Sequence, residues 1–177
     1  MIEIKKIKTT EESVVTAMDG FDKELFPFLS YILQDLCEIG ADPDAIIRLI
    51  RKHGKRYPEL KVLDLGCGKG AMSVKVAKAL GCRCYGIDAI PEFITFAHQK
   101  AIEYEVTHLC TFEVADIRKK VKDLSDYDIV ILGAIGPVFG DYYITLITLT
   151  DCIKPQGIFI IDDGYIEDNS NYSHPSI

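Results

Sequence analysis

Apolar and polar positions along the chain follow two rhythms, which meet near Tyr57 and Pro58. In the first zone Leu25, Phe28, Ile32, Leu36 and Ile39 recur every three or four residues and Gly40 follows, which predicts an amphipathic helix from Glu24 to Ile39. Asp42 and Pro43 then read as N-cap and first turn of a second helix, running through Ile46, Ile47 and Ile50 to Gly54. Residues 1–58 are therefore expected to form a helical N-terminal segment and residues 59–177 the main domain, packed as one compact unit.

Beyond Pro58 short apolar runs alternate with helical patterns. Strands are expected at Lys61–Leu65, Arg83–Ile87, Leu109–Val114, Asp128–Leu132 and Gly157–Ile161. Helices fit between them at Gly70–Leu80, stopped by Gly81, at Pro91–Tyr104, and in a short basic piece at Ile117–Val121. Ile144–Thr150 is β-branched and nearly alternating, so local propensity favours a strand there. Parallel strands nevertheless need a crossover, usually helical and right-handed, and the segment is read as that helix with Asp141 as its N-cap. The fold class is α/β: an open, mostly parallel sheet with helices on both faces, preceded by the helical segment. A ligand in such a sheet lies beyond the carboxyl ends of the strands.

Composition narrows the class. The chain has 177 residues, 48% of them hydrophobic, enough for a real core without staples. Its formal charge is -7 and no stretch interleaves basic with aromatic residues, which argues against a nucleic-acid partner. The basic cluster of Arg48, Arg51, Lys52, Lys55 and Arg56 reads as a solvated helix face. Six dispersed cysteines, at 37, 67, 82, 84, 110 and 152, form no metal-ligand spacing and suit a reducing compartment. With no signal-peptide pattern and no membrane-length apolar run, a cytoplasmic location without membrane contact is expected.

The chemistry concentrates in Lys61-Val-Leu-Asp-Leu-Gly-Cys-Gly-Lys-Gly70, a strand that runs through a glycine loop directly into a helix. Asp64 precedes the glycines, and the third glycine arrives one residue early for a dinucleotide fingerprint. A pyrophosphate within ~4 Å of Asp64 would meet repulsion of a few kcal/mol at intermediate dielectric, whereas an ammonium group would be attracted. This opposes a nicotinamide-dependent oxidoreductase. Asp88, at the end of the second strand, can accept hydrogen bonds from two adjacent hydroxyls, as a ribose presents.

The loop resembles the first motif of class I S-adenosylmethionine-dependent methyltransferases, and the resemblance extends roughly from Lys61 to Ile166. It implies S-adenosylmethionine as cofactor and a small-molecule methyl acceptor. By the same resemblance Asp64 would engage the methionine amino end, with Gly66, Cys67, Gly68 and Gly70 as the floor. Asp88 would hold the ribose, Ala89 and Ile90 would line the adenine, and Asp116 would accept from the adenine amino group beside Ile117. Leu132, Gly133 and Ala134 would meet the methionine part by backbone.

For a catalytic base the candidates are Asp162, Asp163, Tyr165, Tyr142 and Tyr143, of which Asp163 is favoured; no histidine earns a catalytic role. The segment Gly133-Ala-Ile-Gly-Pro137 lacks the Asn or Asp followed by Pro-Pro-aromatic used on nucleic-acid or glutamine amino groups. Phe21, Phe26, Phe28 and Tyr31 are placed as a possible apolar lining from a lid. The family's last two antiparallel strands have no room after Ile166, so the chain reads as truncated. An exposed fifth-strand edge would then invite pairing with another copy. The rival to an active enzyme is a non-catalytic cofactor-binding module completed by a partner chain.

Overall fold

The computed structural model describes residues 8–53 and 57–164. Tyr165, His174, Gly54, Lys55 and Arg56 lie outside the described residues. Five strands, β1 Lys61–Leu65, β2 Arg83–Asp88, β3 Cys110–Val114, β4 Tyr127–Gly133 and β5 Ile153–Asp162, form one sheet in the order β3-β2-β1-β4-β5. Every adjacent pair is parallel. The chain reverses its direction of travel across the sheet at β1, whose neighbours are β2 and β4, so the expected crevice opens between the ends of β1 and β4.

Both faces are covered, which is why the strands read as apolar runs. Side chains alternate along β1. Val62 packs with Ile46 and Ile50 of α3 (Pro43–His53) and with Val74 and Ala77 of α4 (Ala71–Leu80). Leu63 and Leu65 point the other way, against Val121, Leu149 and Cys152. Both leucines are fully buried, worth roughly 2–3 kcal/mol each by area removed from water. On the first face α5 (Pro91–Glu103) packs beside α4. The second is covered by the single turn of α6 (Ile117–Lys120) and by α7 (Tyr142–Leu149), as the shared core shows.

Two local choices set the crossovers. Gly70 has φ +76°, and a Cβ there would sit 2.6 Å from the Ala97 Cβ, so glycine lets α4 start and close against α5. In α7 the Asp141 carboxylate accepts the Ile144 N–H at 2.8 Å, and the β-branched segment is helical, as the parallel crossover requires.

The N-terminal segment departs from expectation. Instead of one helix from Glu24 to Ile39, a 3₁₀ stretch at Lys23–Phe28 leads into a single turn, α2 (Leu29–Ile32), and the chain then turns irregularly. Pro27 stands inside it, removing a backbone donor and disfavouring α-helical geometry at Phe26, so the segment runs as a 3₁₀ stretch rather than a regular α-helix. The helix that does precede α2 is α1 (Thr10–Ala17), closed by a capping box in which Thr9 and Glu12 exchange backbone and side-chain bonds at 3.2 and 2.8 Å. The predicted α3 is present, with the Asp42 carboxylate accepting the Asp44 N–H at 2.9 Å.

Among the described residues no helix is long and apolar enough to cross a membrane, and no strand pairs with the outer side of β5. All six cysteines are free, and Cys37 alone is exposed.

Candidate active site

A cavity of about 290 Å³ opens beyond the carboxyl ends of the strands. Of the residues singled out in the sequence, Gly66, Gly68, Asp88, Ala89, Asp116, Ile117, Gly133 and Ala134 line it. Gly68 has φ +52° and nothing within 4 Å of where its Cβ would be, so bare backbone faces the space. Asp88 accepts the Gly68 N–H on Oδ2 and the Ile90 N–H on Oδ1, each at 2.9 Å. Those two bonds use about half of a carboxylate's acceptor positions, and the remainder can take two hydroxyls. Burial raises the Asp88 pKa while the backbone N–H groups pull it back.

Gly66 and Gly133 also line a small recess of about 20 Å³, which reaches down to Asp64, Cys67 and Lys69. That is room for about one water-sized group. Asp64 shares the face of Val62 on β1, so its carboxylate points toward α4, where it accepts the Ser73 hydroxyl at 2.6 Å. Burial pushes its pKa up to about 6 despite the opposing pull of Ser73, with the charge of Asp88 adding to the rise. A cation entering the recess would relieve that burden. The Cys67 thiol, buried beside these carboxylates, is pushed well up and stays protonated.

Asp116 is saturated. It accepts from Arg118 through Nε at 3.0 Å, Nη2 at 2.7 Å and the backbone N–H at 3.0 Å, and from the Thr10 hydroxyl at 2.8 Å. The Arg118 guanidinium holds the Asp116 carboxyl down to about 2. The roles of Arg118 and Thr10 went unread in the sequence. So did Lys69, which is buried and donates to the Leu33 and Gln34 carbonyls at 2.7 and 3.1 Å while standing over Phe96 and Phe93. Lys69 fastens the N-terminal segment to the glycine loop.

Other predicted residues stand elsewhere. Gly70 packs on Ala97, Ile90 belongs to the small core under α1, and Leu132 is buried in the core beneath the sheet. Asp163 and Tyr142 are exposed and face each other at 3.4 Å, and neither they nor Asp162 and Tyr143 line the cavity. Phe21, Phe28 and Tyr31 are exposed rather than lining it: Phe21 precedes the 3₁₀ stretch, and Phe28 and Tyr31 lie at its end and on the single turn of α2, where the expected long helix is absent. Phe26 packs into the small core instead. The N-terminal wall is built by Val14, Ala17, Met18, Leu33 and Ile39.

Residues 57–175 match the methyltransferase domain family. The chain belongs to that family. The mitochondrial ubiquinone biosynthesis O-methyltransferase of Bos taurus is 28% identical over 67% of this chain and 33% of its own length. The cyclopropane-fatty-acyl-phospholipid synthase of Escherichia coli K12 is 26% identical over 81% of this chain and 37% of its own length. A methyltransferase of Geobacter sulfurreducens, solved with S-adenosylhomocysteine, superposes with a TM-score of 0.63 at 26% identity, covering 73% of this chain and 52% of that one. The chain thus spans about a third of those curated relatives and half of that solved structure.

The residues present fit S-adenosylmethionine at two of three contacts. Asp88 keeps acceptor capacity for a ribose, and the recess beside Asp64, whose wall also includes Lys69, has room for one ammonium-sized group. At the third, an adenine amino group would have to share Asp116 with Thr10 and Arg118.

Proposed function

We propose that the chain is the cofactor-binding core of a methyltransferase acting on a small molecule. The observation that carries this reading is the placement of two carboxylates at adjoining spaces that share Gly66 and Gly133: Asp88 on the cavity, tied to bare glycine backbone, and Asp64 on the small recess beside it. Neither arrangement suits a diphosphate, which would bring two negative groups toward them. When bound, S-adenosylmethionine supplies an electrophilic methyl on a sulfonium. The protein's part is to bind, orient and exclude water, and orientation alone can supply ~7 kcal/mol of the barrier. In this reading Asp88 takes the ribose hydroxyls, Asp64 the ammonium, and α1 covers the cavity with Val14 and Ala17.

Calorimetric titration with S-adenosylhomocysteine and NAD in parallel tests the reading. Heat from S-adenosylhomocysteine alone supports it, and heat from NAD alone overturns it. Among the described residues no strand covers the outer side of β5, which favours a second reading, in which the chain binds cofactor but gains activity only when another chain completes the sheet. For that edge the proposed occupant is the same edge of a second copy, and a strictly monomeric protein in sedimentation would refute it. The free thiols keep the cytoplasm as the proposed compartment.

A further inference from the structure

Helix α1 turns one face to the cavity: Thr10, Ser13, Val14 and Ala17, spaced by three and four residues, all line it. The first turn of that face stands at the β3 end. There the Arg118 guanidinium donates through Nη1 to the Lys8 carbonyl at 2.9 Å, and the Thr10 hydroxyl donates to Asp116 Oδ2 at 2.8 Å. Val15 is buried with Ile90 and Phe93, so core packing as well as these bonds holds the helix in place.

Hydrogen-bond capacity at this end is unevenly spent. Asp116 Oδ1 accepts the Arg118 backbone N–H and Nε, each at 3.0 Å, while Oδ2 accepts Nη2 at 2.7 Å and the Thr10 hydroxyl. A carboxylate has about four acceptor positions, and here all are taken. Arg118 offers donors only. Thr10 differs from both. The Arg118 guanidinium keeps the Asp116 carboxyl ionised, so the carboxylate can only accept and the Thr10 proton is committed to it. Both lone pairs of the Thr10 oxygen remain, since among the described residues that bond is the one its hydroxyl makes. Donating to an anion also polarises the hydroxyl and makes its oxygen a better acceptor.

We infer that the Thr10 hydroxyl, rather than Asp116, accepts the amino hydrogen of the cofactor's adenine, and that Asp116 and Arg118 are positioning residues that act through it. The inference rests on the proposed function and deepens it, moving base recognition from the end of β3 to α1. The Thr10 oxygen stands one hydrogen-bond length from Oδ2, so a base edge arriving at the β3 end meets it without displacing any of the four bonds to Asp116. A base with a carbonyl in place of the amino group would set two acceptors against each other, because the Thr10 proton is already spent. The site should therefore tell adenine from its deaminated form.

The test compares S-adenosylhomocysteine with S-inosylhomocysteine, which carries a ring carbonyl in place of the amino group. Both are titrated calorimetrically into the native protein, Thr10→Val and Thr10→Ser. Valine puts a methyl group where the hydroxyl stood, which removes the acceptor and screens Oδ2, whereas serine keeps the hydroxyl. The native protein should prefer the adenosyl ligand, Thr10→Val should lose about tenfold of that preference, and Thr10→Ser should retain it. A general loosening of α1 would weaken both ligands alike and leave their ratio intact. An unchanged or greater preference in Thr10→Val, as direct contact with Asp116 would give, overturns the inference and leaves the proposed function standing. So does a native protein that binds the two ligands equally, or a loss in Thr10→Ser as large as in Thr10→Val. A native protein that binds neither ligand overturns the proposed function and this inference with it.

Discussion

Replacing Asp64 by asparagine should remove this carboxylate's contribution to the pH dependence of stability. Its pKa rises from 3.8 to about 6 on folding, so the native state holds a proton more tightly than the unfolded chain. Below pH 3.8 both states are protonated and the group contributes nothing. As pH climbs to about 6 the unfolded chain releases its proton first, so native stability falls, and above that the penalty is constant. A shift of about two units corresponds to about 3 kcal/mol, with little solvent screening because the residue is 3% exposed. The asparagine adds a pH-independent offset of its own, because Ser73 can still donate to the amide oxygen while the new amide N–H groups need partners. Urea denaturation of both proteins at several pH values between 4 and 7 cancels that offset. The variant should gain about 2 kcal/mol relative to the native protein across the interval, because part of the penalty has already developed at pH 4, and its affinity for S-adenosylhomocysteine should fall. A flat difference would show that Asp64 is not the strained group described, and the electrostatic reading of the recess would fall with it.

Four further outcomes are expected. Asp88→Ala removes the acceptor of the Gly68 and Ile90 N–H groups together with the ribose contact, and calorimetry should record about a hundredfold loss of S-adenosylhomocysteine affinity. Gly70→Ala combines a left-handed backbone with a 2.6 Å approach to Ala97, and should lower stability in urea by about 2–4 kcal/mol. Lys69→Met leaves the Leu33 and Gln34 carbonyls without their donor, so amide exchange over residues 33–41 should quicken at least tenfold; Lys75→Ala, which breaks a partly exposed pair with Glu38, should cost under about 1 kcal/mol.

The sheet was legible in the sequence because parallel strands buried on both faces leave apolar runs, and the glycines at 70 and 81 mark where helices begin and stop. In α7, Ile144 and Thr145 favour a strand locally, and only the need to connect parallel strands corrected the propensity. Three-and-four apolar spacing alone does not describe the N-terminal segment, because Pro27 interrupts the regular helix that the spacing implies and the Thr9-to-Glu12 capping box starts a helix upstream at α1. Site residues at strand ends could be read because the fold itself puts them there. Lys69 and Arg118 could not, since each acquires its place from a partner far away in sequence.

The parallel pairing of β4 beside β1 has a consequence for biogenesis. Leu63 aligns with Val130, so the recess bounded by Gly66 and Gly133 does not exist until the later strand has been synthesised and docked. A nascent chain that has completed β3 carries half a binding site and a naked hydrophobic β1 margin, the sort of exposure that makes non-local sheets slow to mature and prone to stick. Ligand in the cell therefore cannot assist the earliest folding events; it can only trap the product once the ribosome has moved well past β4.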